Sequence, residues 1–160
     1  MRLWLLGELV LLLVIANATP VIISMLLGDR WDQPLDRGLR LADGQPLLGA
    51  HKTVRGLFGA IIACTLLAPL VDLSLLQGAG FGALAMSGDL LSSFCKRRLG
   101  LRSGHPVPLL DQLPETLLPL WILQPVLGAG PLEIAIAITV FSGVDLLFTR
   151  LLVSFQARCS

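Results

Sequence analysis

The sequence predicts an all-α integral membrane protein with five transmembrane helices and two cytoplasmic loops that form a polar site. Three observations support this fold class. First, 54% of the 160 residues are hydrophobic and only 14% are charged, whereas a soluble domain carries about 25% charged residues. Second, several apolar runs approach or exceed the roughly 17 residues that a membrane-spanning helix needs. Third, the Lys and Arg residues fall almost entirely on one side of a five-span arrangement.

The expected spans belong to a single domain that covers the whole chain. They are placed at about residues 3–27, 57–76, 78–95, 113–127 and 132–153. Proline removes a helical hydrogen bond, so we expect the first span to bend at Pro20 and the second to break near Pro69. The fourth span is the weakest because it contains three prolines. In the third span, Gly78 and Gly82 are four residues apart, a spacing that permits close contact between helices.

The N-terminal run has two interpretations. Its basic start, apolar stretch and Ala16-Asn17-Ala18 imitate a secretory signal peptide with its cleavage site. However, the apolar run resumes at residues 21–27, and five basic residues follow it between Arg30 and Arg55, whereas one precedes it. This distribution favours an uncleaved span with its N-terminus outside.

The basic residues orient the expected spans. Loop 28–56 holds five Lys or Arg residues and loop 96–112 holds four, whereas the connections on the other side hold none. Eleven of the twelve basic residues then lie on one side, with Arg2 as the exception. The positive-inside rule makes that side cytoplasmic. We therefore expect a multi-pass protein of the cell membrane (the cytoplasmic, or inner, membrane), with its C-terminus in the cytoplasm.

Asp89 is a carboxylate near the end of the third apolar run. Such a group costs on the order of 2.5–3.5 kcal/mol at the centre of a bilayer, so it is usually paired or functional. Asp89 shares a helix face with Ser92 or Ser93 and with Lys96, which lies about 10 Å further along the axis. From this span alone, a functional carboxylate and a simple pair with a neighbouring arginine are equally supported.

Asp111 favours the functional interpretation. It returns the chain to the membrane after a loop that carries Lys96, Arg97 and Arg98. Two carboxylates at one interface repel each other unless a cation lies between them, and Mg²⁺ prefers one or two carboxylates together with phosphates and water. The basic side chains suit phosphate oxygens. The chain has no GxSxG, HExxH or Walker-type pattern, so the residues favour phosphoryl or nucleotidyl transfer.

The segment from Gly49 to Gly56 contains His51, Lys52, Thr53 and Arg55. If it begins the second helix, its free N–H groups favour an anion. The alternative is a basic anchor that follows the positive-inside rule, but an anchor does not require His, Thr and two flanking glycines. We therefore favour a phosphate site. Asp145, close to Arg150 in the last span, is expected to form a structural ion pair.

Three blocks of sequence, in this order, resemble the CDP-archaeol synthase family, a compact relative of the phosphatidate cytidylyltransferases. The resemblance covers most of the chain. The blocks are Gly49-x-His51-Lys52-Thr53-x-Arg55-Gly56, Gly88-Asp89-x-x-x-Ser93-Phe94-x-Lys96-Arg97-Arg98-Leu99-Gly100-Leu101 and Pro106-x-Pro108-Leu109-Leu110-Asp111-Gln112-Leu113.

The resemblance implies transfer of the CMP moiety of CTP to a membrane lipid phosphate, archaeol-phosphate-like or phosphatidate-like, in phospholipid biosynthesis. The products would be a CDP-lipid and pyrophosphate. The implied partners are CTP, the lipid phosphate and the bilayer, with no nucleic acid, and a homo-oligomer is left open. The implied catalytic residues are Asp89, Lys96 and Asp111, with Mg²⁺ held by Asp89 and Asp111. The implied ligands of CTP and of the lipid phosphate are His51, Lys52, Thr53, Arg55, Ser93, Lys96, Arg97, Arg98 and Gln112.

The chain departs from the larger relatives after Asp111. Where their final motif carries a further acid, this sequence has Pro114 followed by Glu115, which makes Glu115 a candidate substitute. The C-terminal span is also unlike that of archaeal members, so a bacterial homologue with an ester-linked or unknown lipid acceptor stays open. The competing function is a non-catalytic membrane protein whose basic loops bind anionic lipid. A CDP-alcohol phosphotransferase would need a D-G-x-x-A-R motif, which is missing.

Overall fold

The structure is a computed structural model that describes residues 2–103 and 107–159, without the side chains of residue 108 and of residues 149–159. Helices dominate the described residues, as the sequence predicts, and the two β-bridges are isolated. The α-helices are α1 (Leu3–Leu27), α2 (Val54–Leu67), α3 (Leu75–Arg98), α4 (Pro108–Ile122), α5 (Gln124–Leu127) and α6 (Pro131–Cys159), and a 3₁₀ helix (Ala68–Val71) follows α2.

Three helical segments within the described residues are long and apolar enough to cross a membrane. They are Leu3–Leu27, Val54–Val71 and Pro131–Phe148. Helix α3 has 24 residues, but its glycines, serines and charged residues lower its hydropathy. Helix α4 has 15 residues, fewer than the roughly 17 that a span requires. The count of five spans therefore stays a prediction.

The helices around Pro69 confirm one prediction and correct another. As predicted, the regular α-helix breaks near Pro69, and the chain continues as a 3₁₀ turn. Ser74 then starts α3, since its hydroxyl accepts from Gln77 N at 3.2 Å and the Gln77 side chain accepts from Ser74 N at 2.8 Å, a capping box. The predicted second span, which reached residue 76, therefore overlaps the start of α3.

The predicted loop 96–112 is largely helical at both ends. Helix α3 continues to Arg98, and Gly100 follows it with a φ of 72°, the left-handed conformation that glycine adopts after a helix. Helix α4 begins at Pro108, where the fixed φ of proline suits a first helical position. Lys96, Arg97 and Arg98 therefore lie on α3, and Asp111 lies in the first turn of α4.

Small residues allow α3 to pack closely against both of its neighbours. A side chain on Gly82 would approach the Ile61 Cα of α2 to 2.9 Å. A side chain on Gly88 would come within 2.2 Å of the Pro114 carbonyl oxygen on α4. The apolar core extends across the helices through buried side chains such as Leu13 of α1 and Phe141 of α6. Helix α3 is thereby held between α2 and α4, and its contact with α4 at Gly88 lies next to Asp89.

The loop between α1 and α2 is tied down by side chains. The Asp36 carboxylate accepts from the backbone N–H groups of Gly38, Leu48 and Gly49 at 3.0, 2.8 and 3.0 Å. Arg98 reaches across from α3, where it donates to the Pro46 carbonyl at 2.6 Å and pairs with Asp43. These contacts fix the segment that precedes α2 and place it beside α3.

Candidate functional site

A polar cleft lies between the ends of α1 and α2, the segment before α2, and the middle of α3. Its volume is about 570 Å³ with its open mouth included. Pro20, Leu57, Met86 and Leu90 contribute apolar walls. The polar side chains that line it are Ser24, Asp32, His51, Lys52, Thr53 and Asp89. Three of the predicted phosphate ligands, His51, Lys52 and Thr53, are thus brought together with Asp89.

Lys52 and Asp89 form the central ion pair of the cleft. The Lys52 ammonium lies 2.6 Å from both carboxylate oxygens of Asp89, and the two side chains are 26% and 20% exposed. Asp89 therefore pairs with a lysine from another element and not with a neighbouring arginine, and its functional role stays a prediction. The Lys52 carbonyl accepts from Leu35 N at 2.7 Å, which fixes the backbone that presents this lysine.

Thr53 joins the cleft to the start of α2. It is the N-cap residue of this helix, and its hydroxyl oxygen accepts from Gly56 N at 3.3 Å. The positive end of the helix dipole therefore lies beside Lys52, and this combination favours an anion. His51 is solvent-exposed at the mouth of the cleft.

A second ion pair lies further along α3, between Lys96 and Asp111. The Lys96 ammonium is 2.6 Å from Asp111 Oδ1. Ser92 donates its hydroxyl to the same oxygen at 2.9 Å, and the Val107 N–H donates to Oδ2 at 2.9 Å. Of the two serines considered, Ser92 is the one that binds Asp111. Ser93 is buried at 3% exposure, and its predicted hydrogen bond to substrate stays a prediction.

Glu115 lies within electrostatic reach of both ion pairs. It lies on α4 with 6% exposure, next to the point where the Gly88 backbone touches the chain at Pro114 and Glu115. Its carboxyl group interacts electrostatically with Asp89, Asp111 and Lys52. The site therefore contains a third acidic group in the position that the sequence suggested, one residue after Pro114.

The predicted arginine ligands are engaged by other parts of the protein. Arg55 pairs with Asp32 at 2.7 Å and donates to the Arg30 carbonyl. Arg97 is 2% exposed and donates to the Arg102 carbonyl at 2.8 Å. Arg98 binds the loop between α1 and α2, as described above. The structure does not place these three side chains against Asp89, and their binding of substrate stays a prediction.

Gln112 turns away from the cleft, towards α6. It donates to Asp145 Oδ2 at 3.1 Å, a contact that the sequence did not suggest. The predicted Asp145–Arg150 pair lies outside the described residues, because the Arg150 side chain is not among them. The roles of Asp32 and Asp36 were also missed. For Asp36 the signal was present, since Asp36-Arg37-Gly38 is the type of sequence in which an Asp side chain closes a turn.

The residues fit a magnesium ion that arrives with phosphate oxygens. Within the described residues, no group of three or more His, Cys, Asp and Glu side chains is arranged to hold a metal. Mg²⁺ does not require such a cage, because it commonly takes one or two carboxylates and fills its other positions with phosphates and water. Asp89 and Asp111 each hold a lysine ammonium at 2.6 Å, so each already attracts a cation.

Comparison with known proteins gives consistent matches. The family model described as "CarS-like: CDP-archaeol synthase" matches residues 70–156. The CDP-archaeol synthase of Aeropyrum pernix is 45% identical over 106 residues, which are 62% of this chain and 58% of that protein. The CDP-archaeol synthase of Thermofilum pendens is 36% identical over 143 residues, which are 86% of this chain and 70% of that protein. The match to the first relative thus spans under two thirds of its length.

A solved structure has the same overall fold. It is described as "Structural insight into an intramembrane enzyme for archaeal membrane lipids biosynthesis". It is 35% identical, with a TM-score of 0.75 over 88% of this chain and 90% of that chain. Together with the three apolar helical segments, this match makes the chain a multi-pass membrane protein.

Proposed function

The chain belongs to the CDP-archaeol synthase family, a family of CTP-dependent membrane enzymes, and we propose that it transfers the CMP moiety of CTP to a membrane lipid phosphate. The products are a CDP-lipid and pyrophosphate. The acceptor is an archaeol-phosphate-like lipid, in keeping with the names of the relatives. The observation that carries the proposal is the Lys52–Asp89 pair in a polar cleft at the start of α2.

The reaction needs no nucleophile from the protein. An oxygen of the lipid phosphate attacks the α-phosphorus of CTP, the bond from that phosphorus to the bridging oxygen breaks, and the electron pair leaves with pyrophosphate. The barrier comes from repulsion between two anions and from the charge on the leaving group. Positively charged groups lower both contributions. The absence of a Ser or Cys nucleophile motif is consistent with this chemistry.

Lys52 and Lys96 supply positive charge in this proposal. When the triphosphate enters, the Lys52 ammonium exchanges Asp89 for phosphate oxygens, and the N-terminus of α2 adds its dipole. Lys96, 11% exposed and paired with Asp111, lies on the same helix as Asp89, about two turns further along α3. In this proposal Lys96 neutralises the phosphate of the lipid acceptor. His51, at the mouth of the cleft, contacts the outer phosphates.

Asp89 and Asp111 would hold Mg²⁺, which would screen the charge of the triphosphate and of the leaving pyrophosphate. Lys52 and Lys96, which pair with these carboxylates in the structure, would then leave them. Each lysine is then available to an anion, so the ion pairs of the substrate-free protein hold the lysines close to their working positions. Glu115 lies within electrostatic reach of Asp89 and Asp111 and is a third carboxyl group beside this position.

The proposal includes the membrane arrangement. Helix α3, and α4 together with α5 (residues 108–127), also cross the membrane, which gives five spans, and the cleft opens to the cytoplasm with the N-terminus outside. Single cysteines at Ala42 and Pro125, in a background without the native cysteines, test this arrangement by labelling with a membrane-impermeant maleimide. In intact cells only Pro125→Cys should react. Labelling of Ala42→Cys in intact cells would show that the loop between α1 and α2 lies outside, which is the opposite of the proposed orientation.

The activity is tested on the purified protein in detergent with labelled CTP, Mg²⁺ and a panel of ether-linked and ester-linked lipid phosphates. We expect label to enter an extractable CDP-lipid, with one pyrophosphate released for each molecule formed. Asp89→Asn and Asp111→Asn should each lower the rate by about 100-fold or more, the scale of losing a charge-stabilising group. The control Asp29→Asn, at an exposed loop position, should leave it unchanged.

Two outcomes would contradict the proposal. One is that no acceptor in the panel yields a CDP-lipid. The other is that both Asp variants retain full activity, which would place the chemistry elsewhere. If the protein is instead a non-catalytic one that binds anionic lipid through its basic loops, no CDP-lipid should form. In that case Asp89→Asn and Asp111→Asn should bind anionic vesicles as wild type does.

A further inference from the structure

We propose that Asp32 reads the base of the nucleotide, accepting a hydrogen bond from the 4-amino group of cytosine and so selecting CTP over UTP. This inference rests on the proposed function, because it assigns the nucleotide to the same cleft. Asp32 lies in the loop after α1, and no sequence motif singles it out. The structure places it in the lining of the cleft with Lys52 and Asp89.

The cleft contains two carboxylates in different states. Both oxygens of Asp89 are engaged by the Lys52 ammonium. Asp32 directs only Oδ1 to Arg55, at 2.7 Å, and its side chain is 42% exposed. Among the described residues, no hydrogen bond engages Asp32 Oδ2. Asp32 therefore presents an open acceptor to anything that occupies the cleft.

Arg55 holds this acceptor in place. Its side chain is 8% exposed, and its guanidinium also donates to the Arg30 carbonyl, so it is anchored on the backbone just before Asp32. A side chain fixed in this way keeps its geometry when a ligand enters, and fixed geometry is what gives a hydrogen-bonding group its selectivity. Arg55 is thus a positioning residue for Asp32, a different role from the phosphate ligand that the sequence suggested.

Charge decides which part of a nucleotide faces Asp32. A carboxylate repels phosphate, whereas Lys52, His51 and the start of α2 favour it. The triphosphate therefore lies on the Lys52 side, and an uncharged part of the nucleotide, the base or the ribose, lies against Asp32.

The chemistry of the two pyrimidines then favours cytosine. Cytosine presents an amino donor at position 4, whereas the corresponding group of a uracil-type base is a carbonyl acceptor. An ionised carboxylate can only accept hydrogen bonds. It therefore accepts one from the cytosine amino group, whereas against the uracil carbonyl two acceptor oxygens would face each other with no hydrogen between them. Sites built on such a hydrogen bond discriminate strongly against the analogue that lacks the donor.

The test compares Asp32→Asn, Asp32→Glu and the control Asp29→Asn. For each protein, CTP, UTP and 2′-deoxy-CTP compete against a fluorescent nucleotide for binding in the presence of Mg²⁺ and without a lipid acceptor. We expect wild type to prefer CTP to UTP and Asp32→Asn to reduce that preference by about 10-fold or more, because an amide can also donate to a carbonyl. Asp32→Glu, which keeps an acceptor, should retain a preference for CTP, and Asp29→Asn should match wild type.

An unchanged ratio of CTP to UTP affinity in Asp32→Asn would overturn the inference. So would a variant that loses discrimination between CTP and 2′-deoxy-CTP but keeps it between CTP and UTP, because Asp32 would then read the ribose. Binding without acceptor separates this inference from the proposed function. Base selectivity that depends on Asp32 without CDP-lipid formation would contradict the function alone, whereas CDP-lipid formation with an unchanged ratio would contradict the inference alone.

Discussion

Lys52 and Asp89 are 37 residues apart in the chain and meet at 2.6 Å. Removing one partner of a partly buried ion pair leaves the other charge without compensation, which is costlier than losing an exposed pair. A site for a charged ligand can use this property, because the incoming anion and its metal replace each partner with a new one. The ion pair therefore explains how an apolar helix can contain the charged Asp89. It also explains how Asp89 can be released to interact with the substrate.

Asp36 has a different task, which is to hold the loop that presents Lys52. Partial burial acts to raise the pKa of Asp36, but the N–H groups of Gly49, Leu48 and Gly38 outweigh it and lower the pKa below the ordinary value of 3.8. The ionised form is therefore the one that the folded loop stabilises. This contribution is fully present above the unfolded pKa and is lost as the pH falls through the lower folded value.

We predict that Asp36→Asn destabilises the protein by about 1–2 kcal/mol at pH 7, since hydrogen bonds to a charged group contribute about 1.5–3 kcal/mol and this group is partly exposed. Thermal unfolding in detergent measures the effect. The difference in stability between Asp36→Asn and wild type should become smaller when the pH is lowered below 3.8, the ordinary pKa of this side chain. Asp29→Asn is the matched control. A difference that stayed constant or widened with acidification would contradict the role of the ionised carboxylate.

At the scale of the helices, the site depends on the close approach of α3 and α4 at Gly88. A side chain there would meet the Pro114 backbone at 2.2 Å and the Glu115 Cα at 2.6 Å, and a helix backbone cannot move aside as a flexible side chain can. This contact brings Asp89 to the level of Glu115, so glycine at this position serves the packing of the site.

We predict that Gly88→Ala destabilises the protein by about 1–3 kcal/mol, the usual cost of overpacking, and reduces activity because α4 must shift. The control is Gly80→Ala on the same helix, where an added Cβ meets nothing within 4 Å. That change should be neutral or slightly stabilising, since alanine favours a helix over glycine by up to about 1 kcal/mol. Chemical denaturation and CDP-lipid synthesis are the measurements. Equal effects of the two substitutions would contradict the close-contact account.

The same elements show what could be predicted from the sequence. Apolar runs located α1, α2, α3 and α6, and helical spacing put Asp89 and Lys96 on one face of α3. Spacing within one helix cannot identify a partner from another element, so the Lys52–Asp89 pair was not predicted. The start of α4 was placed five residues late because its first turn, with Pro108 and Asp111, has a polar and turn-like composition. The arginines were assigned to phosphate from their charge and from the family resemblance, neither of which indicates that Arg98 also binds the loop.

At the scale of the whole molecule, the polar groups gather where α2, α3, α4 and the loop before α2 meet, and apolar surface covers much of the rest. Exposed large side chains such as Trp4, Leu66 and Leu132 lie outside that region, as expected for helices that face lipid. The arrangement lets a water-soluble nucleotide and a lipid phosphate reach one set of charges from different phases. Membership of a family of membrane enzymes, and the similarity to the fold of an intramembrane enzyme, agree with this separation of a polar site from a lipid-facing surface.

The central claim is that the cleft at Lys52 is the nucleotide site, and the affinity of the purified protein for CTP with Mg²⁺ tests it most directly. Titration calorimetry would compare wild type with Lys52→Met and with the control Arg30→Met, which removes an exposed positive charge from the same loop. We predict that Lys52→Met weakens binding by about 10-fold or more, the effect of losing a charged hydrogen bond, while Arg30→Met stays close to wild type. Wild-type affinity in a correctly folded Lys52→Met protein would contradict the account.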